Sequence, residues 1–230
     1  MLRSGLKAAA AAFGTLPPFA PDAPMPPAFI YFDLGNVIFF FDRDRSFAQM
    51  AAASGADVAT VREVVMEGGL QKAIERGDID WLGFHAEFSR RTGTQPDAAA
   101  LARAASDMFW LNTAILPIIA GCRRAGVPMG ILSNTCDPHW DFLVSSGYAI
   151  LPRAFREIVL SHEEHSAKPD RAIYDVATAR AGVPPERIFF CDDLAPHIDT
   201  ARAVGWDAEL FVSATELADQ LARRGLRLGI

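Results

Sequence analysis

Phe32-Asp33-Leu34-Gly35-Asn36-Val37-Ile38 is where an α/β architecture first becomes legible in this chain. The run that leads into it, Phe29-Ile30-Tyr31-Phe32, is continuously apolar and aromatic-rich rather than alternating. That is the pattern of a parallel strand buried on both faces. Asp33 closes the run, and a Gly-Asn turn follows at once. A carboxylate at the carboxyl end of such a strand sits where open α/β sheets bind ligands. Gly35 lets the backbone pass close to whatever Asp33 touches. An aspartate that only caps a tight turn would look the same in isolation, so the reading depends on three later segments.

The first of these, Val127-Pro128-Met129-Gly130-Ile131-Leu132-Ser133-Asn134-Thr135, is another apolar strand, and it ends in hydroxyl and amide side chains. Ser133 and Asn134 offer donors suited to an oxyanion. In Ala167-Lys168-Pro169-Asp170-Arg171-Ala172-Ile173-Tyr174, Lys168 precedes a proline expected in the first turn of a helix. Its ammonium can neutralise a phosphate or a carboxylate as a point charge. Arg187-Ile188-Phe189-Phe190-Cys191-Asp192-Asp193-Leu194 is a strand that ends in two adjacent carboxylates. Such neighbours repel each other, and a bound cation is the natural compensation.

In this order and at these spacings the four segments resemble the haloacid dehalogenase (HAD) superfamily, over roughly Phe29 to Val212. They are most similar to its small phosphatases with an Asp-Leu-Gly-Asn-Val first motif, among them bacterial α-D-glucose-1-phosphate phosphatases. The resemblance implies a Rossmann-like parallel sheet with helices on both faces and an inserted all-helical cap. It also implies a Mg²⁺-dependent phosphatase. Asp33 is then the nucleophile, which passes through an aspartyl-phosphate. The metal ligands are Asp33, the Gly35 carbonyl and Asp193, with Asp192 as a further or water-mediated ligand. Ser133 and Asn134 hold phosphoryl oxygens, and Lys168 balances charge between Asp33 and the phosphate.

One departure stands out. Most phosphatases of that superfamily carry a second aspartate, as general acid and base, at the position that is Gly35 here. Either the leaving group is more acidic than an ordinary alcohol, as at a sugar anomeric oxygen, or a proton donor comes from elsewhere. Asp42, Asp44 and His197 are candidates by proximity along the chain, although two solvated aspartates and a surface-helix histidine would read the same way. Two other functions remain open. One is a metal-independent dehalogenase-type hydrolase, against which Asp192-Asp193 argues. The other is a weakly catalytic protein of the same fold that binds a ligand or a partner.

At 230 residues, half of them hydrophobic, the chain can bury the core of one domain with a modest insertion. A formal charge of −6 argues against nucleic acid or an acidic membrane as partner. No apolar run approaches the roughly 20 residues that span a bilayer. Cys122, Cys136 and Cys191 are few and odd in number, which fits reduced thiols in a cytoplasmic protein better than a disulfide framework. Cys136, beside the second motif, is a candidate nucleophile with no basic partner fixed by spacing. The expected partner is a small phosphorylated metabolite such as a sugar phosphate, taken up by a monomer or homodimer.

Residues 1–28 read as a disordered tail. Arg3, Lys7 and an alanine run faintly resemble a targeting segment, but one too short and too weakly apolar for secretion. Six prolines between Pro17 and Pro27 then impose an extended tether. The core is expected over 29–42 and 112–230, with strands at Ile30–Asp33, Met129–Leu132, Glu157–Leu160, Ile188–Cys191 and Ala208–Val212. Residues 43–111 are expected to form the helical cap, in segments broken at Gly55, Gly68, Gly77 and Gly93 and ending in a helix over Pro96–Phe109. Trp81, Phe84, Phe88, Phe109 and Trp110 are expected in the cap core. Arg43, Arg45, Phe109 and Trp110 are candidates to line the substrate pocket. His162 and His165 flank Glu163-Glu164 at a spacing that does not match a metal-protease motif. Arg90-Arg91 and Arg223-Arg224 read as solvated faces.

Overall fold

The computed structural model describes residues 25–229. The expectation of a disordered tail therefore lies, for residues 1–24, outside the described residues. Residues 25–28 do not follow it. Arg187 Nη2 donates to the Pro26 carbonyl (3.0 Å), and the Ala28 N–H donates to the Arg187 carbonyl (2.8 Å). These bonds carry the backbone straight into the first strand.

The chain begins with strands β1 (Phe29–Phe32) and β2 (Phe39–Phe41). Helices α1 (Arg43–Ser54) and α2 (Val58–Arg62) follow, the latter continued by a π-helical turn over Glu63–Glu67. Next come α3 (Leu70–Glu75), α4 (Trp81–Thr92), α5 (Ala98–Ser106) and strand β3 (Phe109–Leu111). The chain then runs through α6 (Leu116–Arg124), β4 (Met129–Ser133), α7 (Asp137–Ser145), β5 (Glu157–Leu160) and the single turn α8 (Ser161–Glu164). It closes with α9 (Arg171–Ala181), β6 (Ile188–Asp192), α10 (Ala195–Ala203), β7 (Asp207–Leu210) and α11 (Ala214–Arg223).

Five strands form one parallel sheet in the order β5-β4-β1-β6-β7, so β1 and its aspartate lie at the centre. Successive residues of each strand feed opposite cores. Ile30, Phe32, Ile131, Phe189 and Cys191 pack with Ile118, Leu143, Leu217 and Leu221 on one face. Phe29, Tyr31, Leu132 and Phe190 pack with Ile173, Ala177, Ile198 and Ala201 on the other. Each buried aromatic or aliphatic side chain contributes about 1.5–3 kcal/mol, which explains why the strands read as unbroken apolar runs. A close approach requires Gly130: a Cβ there would lie 2.4 Å from the Tyr31 ring. The fold is thus α/β, with helices on both faces of a parallel sheet.

Between β2 and β3 the described elements are all helical and share a core of their own, which includes Phe47, Met50, Val61, Leu70, Ile74, Phe84, Phe88 and Leu101. Asp42, Asp57, Asp80 and Asp97 each cap a helix by accepting a backbone N–H, worth about 1 kcal/mol apiece. Gly55 and Gly93 end α1 and α4 at φ 76° and 69°, which glycine adopts without steric cost.

Several local expectations need correction. The helix expected over Pro96–Phe109 spans only Ala98–Ser106, and Phe109 belongs to β3. β3 pairs antiparallel with β2, Phe41 opposite Phe109 and Phe39 opposite Leu111. This contact bridges the whole insertion, so no local pattern announces it. Trp110 faces solvent at 48% exposure and is not in the core. Pro169 precedes rather than enters α9, whose N-cap is Asp170. Arg224 is not solvated: it bonds Asp207 and Glu209, and its guanidinium lies 4.9 Å from the centre of the Phe189 ring.

Candidate active site

The carboxyl ends of β1 and β6 bring Asp33, Asp192 and Asp193 together, with a carboxylate oxygen of each within 4.8 Å of the others. Parallel pairing fixes the register, Phe32 opposite Cys191, so the residues that follow in both chains emerge side by side. The Asp33 N–H also donates to the Cys191 carbonyl (3.0 Å). Lys168 reaches in from the loop before α9. Its Nζ donates to Asp33 Oδ1 at 2.7 Å and to Asp192 Oδ2 at 2.6 Å, with the lysine itself only 4% exposed.

Burial pushes the Asp33 carboxyl up to about 7, against the pull of Lys168 and with a further push from Asp192. Burial would also raise Asp192, but Lys168 and His197 outweigh it and hold that carboxyl at about 2. Burial works against the Lys168 ammonium, yet the two carboxylates hold its pKa above the ordinary lysine value. A buried ion pair of this kind depends on such matched geometry.

Asn36, in the left-handed region at φ 55°, turns its Nδ2 to donate to Asp193 Oδ2 at 2.8 Å. The Gly-Asn turn of the first motif was the only sequence signal for this contact. Gly35 forms a parallel bridge with Phe39 whose two bonds use the Leu34 carbonyl and the Asn36 N–H. That leaves Gly35's own carbonyl out of the bridge. A Cβ at position 35 would meet the Phe41 ring at 3.0 Å, so the aromatic ring fills the space where a side chain would begin.

These groups fit a divalent cation. The donors are hard oxygens, as Mg²⁺ prefers. Three carboxylates cluster while the Lys168 ammonium pairs with only two of them, Asp33 and Asp192, and Gly35 lines the same mouth as Asp33 and Asp193.

The second motif also orders the lysine loop, a contact the sequence did not announce. Asn134 Nδ2 donates to the Lys168 carbonyl and Asn134 Oδ1 accepts the Lys168 N–H, both at 2.8 Å. Its amide therefore fixes the lysine loop, and the residue lines the mouth beside Asp33. Ser133, 2% exposed, lines the cavity above Asp33, as do Asn134 and Thr135. Ser161 Oγ accepts from the Thr135 N–H (2.9 Å) and locks this strand end to its neighbour.

His197 is not on the surface. It is buried, its Nδ1 lies 2.9 Å from both Asp192 oxygens, and it lines the same mouth as Asp33 and Lys168. Asp42 is spent on capping α1, and Asp44 pairs with Arg62 on the surface, so neither enters the site.

Above the strand ends lies a chamber walled mostly by apolar side chains of the helical insertion, among them Phe47, Met50, Met66, Phe84 and Met108. Arg43 and Phe109 line it as expected. Arg45 pairs outward with Asp107 instead. Glu75, at the end of α3, lines both the chamber and the mouth that holds Asp33, and sequence reasoning gave it no role. Burial raises its carboxyl above the ordinary range. His139, also unforeseen, faces the same chamber, and burial, helped by Arg43, pushes its imidazole down to about 4.

Two other candidates fall away. Cys136 is buried, and burial raises its thiol far out of the nucleophilic range. His162 Nε2 lies 2.8 Å from Asp137, and His165 Nδ1 lies 3.0 Å from the Gly77 carbonyl. The two histidines thus do not converge on a metal. The three cysteines are all free and buried.

No family model matches the chain. Its fold does match solved structures. A predicted HAD-like family hydrolase from Porphyromonas gingivalis aligns at TM-score 0.74 and 24% identity, covering 87% of this chain and 98% of that one. A HAD family enzyme from Bacteroides thetaiotaomicron, solved in complex with magnesium and inorganic phosphate, aligns at TM-score 0.72 and 23% identity, covering 80% and 94%. L-2-haloacid dehalogenase from Xanthobacter autotrophicus aligns at TM-score 0.59 and 18% identity, covering 87% and 84%. The chain has the HAD fold. Among the described residues no helix is long and apolar enough to cross a membrane.

Proposed function

We propose that this protein is a Mg²⁺-dependent phosphatase that hydrolyses a small phosphorylated metabolite through an aspartyl-phosphate on Asp33. The observation that carries this reading is the convergence of Asp33, Asp192 and Asp193 within 4.8 Å of one another, with the Lys168 ammonium bonded to the first two. Phosphoryl transfer depends on positioning and charge neutralisation more than on covalent chemistry, and this cluster supplies both. Asp33 attacks phosphorus in line, and Lys168 holds the attacking carboxylate and offsets the approaching phosphate. Asp192 fixes Lys168 and is itself held by His197. Asn36 orients Asp193, and Asn134 orients the lysine loop. A bound magnesium ion, held by Asp33, Asp193 and the Gly35 carbonyl, would neutralise charge that develops on the phosphoryl oxygens.

The relatives with magnesium and phosphate bound support the same reading by analogy of fold. A dehalogenase would need no metal, and a second carboxylate at Asp193, beside the Asp192 that already holds Lys168, would then have no cation to bind. The finer expectation of a sugar phosphate rests on the resemblance of the four motifs and on the missing carboxylate at Gly35, which favours an acidic leaving group. Hydrolysis of p-nitrophenyl phosphate should depend on Mg²⁺ and disappear on chelation with EDTA. Activity that survives thorough chelation would contradict the reading.

A further inference from the structure

In-line attack by Asp33 places the leaving oxygen on the far side of phosphorus, toward the chamber under the helical insertion. An alkoxide leaves slowly unless a proton reaches it as the P–O bond breaks. The groups at the sheet end are ill-suited to deliver that proton. Asp33 is the attacking group, Asp192 is tied to Lys168 and His197, and Asp193 is tied to Asn36. Position 35 has no side chain, and the Phe41 ring stands against it. On the chamber side, His139 is held neutral by burial, and Arg43 is a guanidinium suited to binding an anion.

Glu75 is different. It lines both the chamber and the mouth that holds Asp33, Asn134 and Lys168. Its only side-chain hydrogen bond among the described residues comes from Gln71 Nε2 to Oε1, at 2.8 Å. It takes part in none of the ion pairs among them, so Oε2 is free to act.

Building on the phosphatase reading above, we propose that Glu75, carried by the helical insertion, is the general acid and base of the reaction. In the first half, the Asp33 oxygen–phosphorus bond forms, the ester P–O bond breaks, and the Glu75 proton passes to the departing oxygen, which leaves as an alcohol. In the second half, Glu75 as carboxylate takes a proton from the water that attacks phosphorus. The Asp33–phosphorus bond then breaks, which frees inorganic phosphate and regenerates both side chains. The proton donor therefore arrives on the same element that shapes the leaving-group chamber, so chemistry and substrate fit are coupled through one helix end.

The test is a leaving-group series of p-nitrophenyl, phenyl and benzyl phosphate, run with Mg²⁺ on the full chain. Glu75→Gln should lower kcat/KM for benzyl phosphate by about 100-fold or more, yet for p-nitrophenyl phosphate by less than about threefold, because only the poor leaving group needs the proton. Glu75→Asp, which keeps the carboxyl, should recover part of the benzyl activity. Equal losses across the series, or no loss at all, would overturn the assignment and leave Glu75 as a structural or binding residue. Should Glu75→Gln not fold, the wild-type series decides. A shallow dependence of kcat/KM on leaving-group pKa supports an acid in place, and a steep one contradicts it. Turnover that survives in Asp33→Asn would instead remove the phosphatase reading, and this assignment with it.

Discussion

The sheet end and the helical insertion face each other across the site and are built on opposite principles. At the sheet end nearly every polar atom is committed: Lys168 to two carboxylates, Asn134 to the lysine loop, Asn36 to Asp193, His197 to Asp192. Across the chamber the insertion presents mostly apolar surface, and its few polar groups, Glu75 and Arg43 among them, are loosely held. A wired, pre-charged floor suits a fixed reaction with phosphate. A greasy wall with few directed bonds suits a replaceable organic group.

The two halves should respond differently to substitution. The largest effect is expected at Lys168. Lys168→Met leaves Asp33 and Asp192 buried without their cation, which should cost about 3–5 kcal/mol of stability in urea denaturation. It should also lower kcat by about 10²–10³-fold. Added Mg²⁺ should restore more stability to this variant than to the wild type, because a cation then replaces the missing ammonium. An equal Mg²⁺ effect in both proteins would show that the carboxylates are not the cation's site.

A smaller effect is expected on the chamber side, at His139. Its imidazole is pushed from 6.5 down to about 4 by burial and by Arg43. Above the unfolded value the ring is neutral in both states and contributes nothing to pH dependence. Below it the unfolded chain takes up a proton that the folded chain refuses until about pH 4, so stability falls across that window, by as much as about 3 kcal/mol. His139→Gln should therefore lose about 2 kcal/mol less than wild type between about pH 7 and about pH 4.5. Identical losses would mean that the ring is solvated and the chamber more open than described.

The same contrast explains what could be read from the sequence. The sheet was legible because each strand is buried on both faces and so shows as an unbroken apolar run; Glu157–Leu160 matches its expected bounds residue for residue. Asp33, Asp192 and Asp193 were legible because each ends or follows such a run, and Lys168 because it precedes a proline just before a helix. His197 was a candidate only by its place along the chain, because its partner Asp192 ends a strand and a histidine on the following helix otherwise reads as surface. β2 and β3 escaped because three-residue strands acquire their meaning only from each other, across the inserted helices. The hold of Asn134 on the lysine loop was not legible, since a side chain's partner from a distant loop leaves no mark on local sequence. Glu75 had no signal at all: a glutamate on an amphipathic helix is ordinary until the fold turns it toward Asp33.

The central claim is that Asp33 accepts the phosphoryl group. Acid quench of the full chain during turnover of p-nitrophenyl phosphate with Mg²⁺, followed by digestion and mass spectrometry, tests it most directly. An added phosphoryl group is expected on the peptide that contains Asp33, absent when EDTA replaces Mg²⁺. Steady turnover with that peptide unmodified, or with the phosphoryl group on another residue, would contradict it.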